Sequence, residues 1–191
     1  MRKLVVTENI SLDGVIEASD YWFGPAGNAD PGEDNTDQSD LEDEIRQQRE
    51  AADAFLVGRT TFEQMRSYWP QQTDDTTGIT DYLNKVAKYV VSSSLHDPDW
   101  EPTTILRGPL VEEIHRLKSQ PGKDIVTTGS ITLVHSLIAD GLVDEYRLFV
   151  YPVIVGRGER LFTDPAKMAK LTLLQTRAFR TGIVLLRYGI T

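Results

Sequence analysis

The segment from residue 54 to residue 63 reads Ala54-Phe55-Leu56-Val57-Gly58-Arg59-Thr60-Thr61-Phe62-Glu63, and it decides the fold. Its apolar run has no polar interruption, which is typical of a strand buried on both faces, as the strands of a parallel sheet are. Thr60 or Thr61 can cap a helix that runs to Trp69, where Pro70 stops it. The segment therefore predicts a strand that turns directly into a helix, the unit of an α/β fold.

The same alternation continues on both sides of this segment. Short strands are predicted at 3–8, 88–91, 104–106 and 124–128, and helices at 37–52, 79–86, from 110 onward and at 131–139. A long apolar strand follows at 143–155, and two last strands near 170–179 and 183–190 pair as a hairpin. The pattern predicts one α/β domain over 1–191: a single mixed, mostly parallel β-sheet flanked by helices, with an antiparallel C-terminal hairpin.

Charge and composition restrict the partners of the chain. The 191 residues carry a formal net charge of −9 and no cysteine. A negative surface repels nucleic acid and anionic membranes, and the lack of cysteine removes disulfides, zinc-thiolate sites and thiol catalysis. No apolar run approaches the roughly 20 residues of a spanning helix, and the N-terminus has no signal-like segment. We expect a soluble, cytoplasmic protein that acts on a small molecule and binds neither nucleic acid nor membrane.

Much of the negative charge lies in one segment. The segment between residues 28 and 50 contains nine acidic residues and only two basic ones, Arg46 and Arg49. Such a run is typical of a solvated loop and helix surface. A functional interpretation is also open, in which the segment favours a cationic or neutral substrate over a phosphorylated one.

Three predicted strand ends carry residues suited to a phosphate-bearing ligand. Parallel sheets bind ligands beyond the carboxyl ends of their strands, where helix N-termini present free N–H groups. The three corners combine glycine, hydroxyl side chains and one arginine; they are Gly58-Arg59-Thr60-Thr61, Ser92-Ser93-Ser94 and Gly129-Ser130-Ile131-Thr132. Each corner alone is also what an ordinary capped helix uses, and none matches the G-x-G-x-x-G or P-loop signatures. Together they favour a phosphate-bearing cofactor.

These corners carry a family resemblance that covers nearly the whole chain. Ser11-Leu12-Asp13-Gly14 resembles the opening motif of the reductase domain of bacterial riboflavin-biosynthesis (RibD-type) proteins. Residues 56–63 are similar to the glycine-arginine-threonine corner of dihydrofolate reductases. The most specific match is residues 125–162, which look like the C-terminal half of the riboflavin-type domain. The resemblance implies a dihydrofolate-reductase-like fold and, because dimers are frequent in this branch, a homodimer.

The resemblance also implies NADPH as the cofactor. In this family Arg59 and the turn of Ser92, Ser93 and Ser94 would face the adenosine 2′-phosphate. Gly129, Ser130, Ile131 and Thr132 would hold the pyrophosphate, with Ser130 standing where the family commonly has a second glycine. An arginine beside hydroxyls independently favours NADPH over NADH, since a 2′-phosphate needs a cation.

Candidates for the chemistry at the substrate are fewer. Asp13 follows the first strand, where it could position water or substrate, although Asp-Gly is also an ordinary turn. Trp22, within the aromatic run of residues 21–23, could stack on a flat heterocycle, or the run could pin a loop to the core. Dihydrofolate reductases use one carboxylate on their first long helix, and here three compete for that role: Glu42, Glu44 and Glu50. The three histidines are too scattered for a metal site.

The sequence leaves several functions open. The first is an NADPH-dependent reductase of a small heterocycle, imine or carbonyl, resembling 5-amino-6-(5-phosphoribosylamino)uracil reductase of riboflavin biosynthesis. The alternatives are a pterin reductase, a nucleotide-binding module that has kept the fold without turnover, and a purely structural dimer subunit. Serine hydrolase chemistry has no support, because no histidine and aspartate accompany the serine turn at a suitable spacing.

Overall fold

A computed structural model describes residues 1–18, 22–23, 37–163 and 169–191. The described residues contain eight strands: β1 (Leu4–Ser11), β2 (Ala52–Gly58), β3 (Ala87–Val91), β4 (Thr103–Leu106), β5 (Asp124–Thr127), β6 (Glu145–Tyr151), β7 (Leu171–Ala178) and β8 (Val184–Ile190). They also contain five α-helices: α1 (Ser39–Glu50), α2 (Arg59–Tyr68), α3 (Ile79–Lys85), α4 (Leu110–Ser119) and α5 (Ile131–Ala139). Most of the chain between β1 and α1, including Tyr21 of the aromatic run, lies outside the described residues.

The strands form one sheet in the order β4-β3-β2-β5-β1-β6-β8-β7. Neighbours from β4 to β6 are parallel, whereas β8 runs antiparallel to β6 and β7 antiparallel to β8. This confirms the predicted fold: a mixed, mostly parallel sheet, with helices between the parallel strands and an antiparallel C-terminal hairpin. The carboxyl ends of the parallel strands meet at one edge, and the three predicted corners follow β2, β3 and β5 at that edge.

Two local expectations were wrong. Neither Thr60 nor Thr61 caps α2; the helix begins at Arg59, and Gly58 in an extended conformation is its N-cap residue without a side-chain cap. The strand predicted over 143–155 ends at Tyr151. Pro152 has no N–H to continue the ladder, so the chain leaves the sheet there although the residues beyond it stay apolar.

Alternation along β1 separates the two faces of the sheet. Leu4, Val6 and Ile10 point into the main core, where they pack with residues of α4 and α5 such as Ile114 and Val134. Thr7 and Asn9 lie on the opposite face, because successive strand side chains point to opposite sides. That second face is covered by α1, which buries Leu41 with residues of β6 and β8.

A buried charge network fixes the start of β6. Glu145 is fully buried, and its Oε1 accepts hydrogen bonds from Arg147 Nε at 2.8 Å and from Arg187 Nη2 at 2.7 Å. Its Oε2 accepts from Lys3 Nζ at 3.1 Å, while Arg147 reaches Asp124 on β5 at 2.7 Å. Burial alone would raise the pKa of Glu145, but the hydrogen bonds from Arg147 and Arg187 lower it to about 2. The carboxylate therefore links β6 to β8 and to Lys3, the residue before β1.

Candidate cofactor cleft and acceptor pocket

A cleft of about 840 Å³ opens at the carboxyl edge of the sheet. It is lined at its two helix starts by residues of two of the predicted corners: Gly58, Arg59, Thr60, Thr61, Gly129, Ser130, Ile131 and Thr132. The tertiary structure thus brings together eight residues that the sequence identified in two separate segments. The first turn of neither α2 nor α5 is capped by a side chain, which leaves N–H groups there for a ligand.

The two helix starts are joined by a direct hydrogen bond. The Gly58 N–H donates to Ser130 Oγ at 2.9 Å. Ser130 adopts a left-handed backbone conformation with φ of 50°, which is uncommon for a residue with a side chain and tends to cluster at functional sites. Gly129 before it has φ of 62°, and a Cβ there would lie 3.5 Å from Thr61 Cγ2. Ser130 therefore keeps the glycine-like turn and adds a link between the corners.

Glu8 on β1 is a buried carboxyl in this cleft that the sequence did not identify. Its side chain is 4% exposed, Oε2 accepts a hydrogen bond from the Gly129 N–H at 3.1 Å, and Oε1 has no partner. Burial raises the pKa of Glu8 well above 4.5. Arg59 is the one cation among the described residues that line the cleft. No local signal marked Glu8, because its role depends on contact with a residue 121 positions away.

Arg59 is accessible to a ligand. Its side chain is 46% exposed, and Nη1 donates to Glu63 Oε2 at 2.8 Å one helical turn away. An exposed pair of this kind contributes little to stability, so the guanidinium can exchange Glu63 for a phosphate at small cost.

The serine turn after β3 does not line the cleft, which reaches only as far as Val91. Ser92 Oγ accepts hydrogen bonds from the backbone N–H groups of Ser94 and Leu95 at 3.2 and 2.9 Å and so closes its own turn. Arg107 Nη1 donates to the Ser93 carbonyl oxygen at 3.0 Å. Arg107 also donates to the Leu95 carbonyl oxygen, so a cation that the sequence did not identify lies beside this turn.

A second cavity of about 300 Å³ lies beside the cleft on the α1 side of the sheet. The two share the lining residues Asn9, Met65 and Thr128, so the second cavity forms a pocket next to the cleft. Its walls are mainly aromatic and aliphatic; the aromatic members are Phe55, Trp69, Tyr82, Phe149 and Tyr151. We call it the acceptor pocket, after the hydride acceptor that we propose it binds.

The acidic side chains of α1 point away from the acceptor pocket. The helix contributes Leu41, Ile45, Gln48 and Arg49 to its walls. Of the three candidate carboxylates, Glu44 is buried in an ion pair with Arg177 at 2.8 Å, and Glu42 and Glu50 are exposed. The interpretation that acidic residues select a cationic substrate here finds no support, because no carboxylate is among the described lining residues.

Asp13 lies outside the lining of both cavities. Its Oδ1 accepts hydrogen bonds from Ser11 Oγ at 2.7 Å and from the Val155 N–H at 3.0 Å, and Oδ2 accepts from the Gly156 N–H at 2.9 Å. The hydrogen bond from Ser11, followed by those from the two amides, lowers the pKa of Asp13 to about 2. These contacts favour the turn interpretation, in which Asp13 anchors the first loop to the loop after β6.

Trp22 lies behind the cavity walls. Its Nε1 donates to the Glu17 carbonyl oxygen at 2.8 Å, and its ring meets those of Phe23 and Tyr151 edge-on at centroid distances of 4.6 and 5.7 Å. Phe23 lines the cleft and Tyr151 the acceptor pocket. The contacts favour Trp22 as a support for both rings; direct contact of Trp22 with a substrate stays a prediction.

Two further features are absent from the described residues. Within those ranges, no group of three or more histidine, aspartate or glutamate side chains is arranged to hold a metal ion. The described helices also include none with the length and apolar character needed to span a membrane.

The fold and the cleft define a class, the dihydrofolate-reductase-like α/β domain. Within that class the chain belongs to the family of RibD C-terminal domains, whose model matches residues 2–185. Two proteins of Bacillus subtilis (strain 168), each named as an uncharacterized protein, are similar along nearly their whole length. YyaP is 31% identical over 189 residues, covering 98% of this chain and 94% of YyaP. YwjB is 27% identical over 187 residues, covering 96% of each.

Solved structures share the fold at low sequence identity. A protein of Shewanella sp. PV-4 named for riboflavin biosynthesis superimposes with a TM-score of 0.71 at 18% identity, over 99% of both chains. The diaminohydroxyphosphoribosylaminopyrimidine deaminase/5-amino-6-(5-phosphoribosylamino)uracil reductase of Thermotoga maritima gives 0.64 at 15% identity. All of this chain is covered there, against 57% of the Thermotoga protein. These likenesses confirm the fold.

Proposed function

We propose that the protein is an NADPH-dependent reductase of a small, flat heterocyclic, imine or carbonyl acceptor, of the riboflavin-pathway type. One observation carries the proposal: two uncapped helix starts and Arg59 line a single long cleft that shares a wall with a smaller aromatic pocket. A dinucleotide needs a long cleft with such helix starts, and a flat hydride acceptor needs a small aromatic pocket beside it.

The cleft fits the charge of NADPH. Arg59 offers an exchangeable guanidinium for the 2′-phosphate, and Arg107 with the turn of Ser92, Ser93 and Ser94 lies beyond Val91 as a further source of donors. Gly129 and Thr132 lie on either side of the start of α5, where free N–H groups favour the pyrophosphate. Burial raises the pKa of Glu8, which favours its neutral form and so reduces its repulsion of an anionic ligand.

NADPH supplies a hydride when it is bound, and the chain supplies position and shielding. Asn9, Met65 and Thr128 line both cavities and lie where the acceptor would meet the cofactor. The aromatic walls exclude water and hold a flat ring in one plane. Asp13 anchors the loop that follows β1, which makes it a positioning residue in this proposal. A pterin reductase of the dihydrofolate type has less support, because the pocket wall that α1 provides contains no carboxylate.

Cofactor titration tests the proposal. We expect saturable quenching of the fluorescence of Trp22, Trp69 and Trp100 by NADPH, with weaker binding of NADH, followed by NADPH oxidation with at least one acceptor of a carbonyl, imine and aminopyrimidine panel. Binding without oxidation across that panel would support the nucleotide-binding module without turnover. A lack of saturable NADPH binding would contradict both functions.

We also propose that the protein is a homodimer that packs through β7. This edge strand exposes three leucines, with Leu171 at 38%, Leu173 at 52% and Leu174 at 49%, and Ile190 on β8 adds a fourth apolar side chain. Natural edge strands normally carry charges that prevent association, so an exposed apolar edge indicates a contact surface.

Light scattering after size exclusion tests the dimer. The native mass is expected to be twice the 21.5 kDa of the chain, and Leu173→Lys is expected to reduce it to that of the monomer because the new charge opposes burial. The control is Val111→Lys, at an exposed apolar position on α4 away from β7. A monomeric wild-type protein, or dissociation caused equally by both variants, would contradict this interface.

A further inference from the structure

The acceptor pocket contains a cation with an unsatisfied donor. Arg49 lines the pocket near the end of α1, and its Nη1 is buried and has no hydrogen-bond partner. Its Nη2 donates to the Thr77 carbonyl oxygen at 2.9 Å, which fixes one side of the guanidinium. A buried hydrogen-bond donor without a partner raises the free energy of the folded state, and more so when the donor is charged. A ligand oxygen that accepts a hydrogen bond from Nη1 would remove that cost.

Nearby carboxylates do not supply that oxygen. Among acidic groups, Asp75 has the largest charge interaction with Arg49, ahead of the exposed Glu50. Asp75 Oδ1 accepts hydrogen bonds from Thr77, and Asp75 Oδ2 accepts from the Thr80 N–H at 2.7 Å. Both oxygens are therefore engaged in closing the loop before α3. Since arginine stays protonated in proteins, the pocket presents a net positive end.

The rest of the pocket is shaped for a flat apolar body. Phe149 and Tyr151 come from β6, Trp69 follows α2, and Tyr82 belongs to α3. Burial raises the pKa of Tyr82 to about 12, so this phenol stays neutral. No described lining residue other than Arg49 carries a charge. One guanidinium in an apolar pocket matches a single negative charge better than a doubly charged phosphate, which needs several donors.

We propose that the acceptor pocket takes an aromatic or heteroaromatic molecule bearing a carboxylate, and that Arg49 Nη1 binds this carboxylate. The inference rests on the proposed reductase function for the identity of the pocket as the acceptor site. The inference narrows the substrate class to aromatic molecules with one carboxylate and predicts that phosphorylated molecules bind less well. The carboxylate would lie at the Arg49 end, and the ring would extend toward Asn9 and Met65, where the pocket meets the cleft.

Calorimetry with a matched set of probes tests the inference. The probes are 2-naphthoate, its uncharged amide 2-naphthamide, and 2-naphthyl phosphate, which share one flat ring system. Wild-type protein is expected to bind the acid about tenfold to a hundredfold more tightly than the amide, the range for a charge-assisted hydrogen bond. Arg49→Met is expected to abolish that preference and to leave the affinity for the amide unchanged.

The matched control is Arg46→Met, one turn earlier on α1. Arg46 is exposed, pairs with Asp43 and does not line the pocket, so this variant loses the same charge and should keep the acid preference. Arg49→Lys keeps the charge without the planar fork and is expected to retain part of the preference. Thermal unfolding of each variant shows whether it is folded, and the wild-type comparison of the three probes needs no variant.

Several outcomes would overturn the inference: equal binding of acid and amide by the wild type, no saturable binding of the acid, tighter binding of the phosphate ester, or equal losses in the Arg46 and Arg49 variants. NADPH titration of the same preparations separates the two proposals. NADPH binding without an acid preference would remove this inference alone, whereas an acid preference without NADPH binding would keep the carboxylate site and remove the reductase.

Discussion

Replacing Glu145 by glutamine is expected to lower the free energy of unfolding by about 3–5 kcal/mol at pH 7, because three cations would lose their shared buried carboxylate. Arg147 would keep only Asp124, and Lys3 and Arg187 would keep no carboxylate in this network. For a chain of this length the midpoint of thermal unfolding should fall by on the order of 10 °C. Chemical unfolding followed by circular dichroism measures the change.

The control for this variant is Asp81→Asn, which removes an exposed carboxylate paired with Lys85 at 3.5 Å on α3. Its effect should stay within about 0.5 kcal/mol, since isolated surface pairs contribute little. Equal losses in the two variants would show that Glu145 acts through net charge and not through its buried contacts.

The Glu145 contribution should also depend on pH in one direction. Its pKa in the folded protein is about 2, below the ordinary 4.5, so the folded state favours the charged carboxylate. The stabilisation is therefore complete above about pH 4.5 and is lost as the pH falls from there toward 2. Wild-type protein and Glu145→Gln should converge in stability over that interval, and a difference that stays constant from pH 7 to 3 would contradict the assignment.

Replacing Arg59 by alanine is expected to weaken NADPH binding about tenfold to 150-fold, the equivalent of about 1.5–3 kcal/mol for a hydrogen bond to a charged group. NADH has no 2′-phosphate, so its affinity should change little. Fluorescence titration of both nucleotides against the wild type and the variant gives the ratio directly.

Arg66→Ala is the matched control for Arg59, because Arg66 is on the same helix but does not line the cleft. It should leave both affinities near the wild-type values. Equal losses of NADPH and NADH in Arg59→Ala would contradict the role at the 2′-phosphate. A loss of NADPH binding in Arg66→Ala of the same size would indicate a general effect of positive charge on α2.

Local sequence was sufficient for the framework of the fold. An apolar run without polar interruption predicted β2, residues 124–128 were predicted as the strand that is β5, and the glycines at 58 and 129 marked the turns that follow them. The prediction for α5, residues 131–139, agreed with the structure to the residue. These features depend on side-chain period and backbone preference within one segment, which a single sequence contains.

The position of individual side chains was less predictable. The sequence could not show that Ser92 would close its own turn or that Asp13 would bind the loop after β6, because both residues have equally ordinary alternatives. It also could not choose among the acidic residues of α1, since the hydrophobic pattern of that helix is thin. The structure buries Leu41 and Glu44 and turns Arg49 to the second pocket.

The corner Gly58-Arg59-Thr60-Thr61 has some properties that its own sequence determines and others that depend on the tertiary structure. The sequence by itself determined that a buried strand turns there into a helix start with an arginine, because strand burial and backbone freedom are local properties. Only the tertiary structure decided that the Gly58 N–H donates to Ser130, that the Gly129 N–H donates to Glu8, and that a second pocket with Arg49 adjoins the cleft. Those relations join residues 72 and 121 positions apart, and their energies arise only when the sheet places the strands side by side.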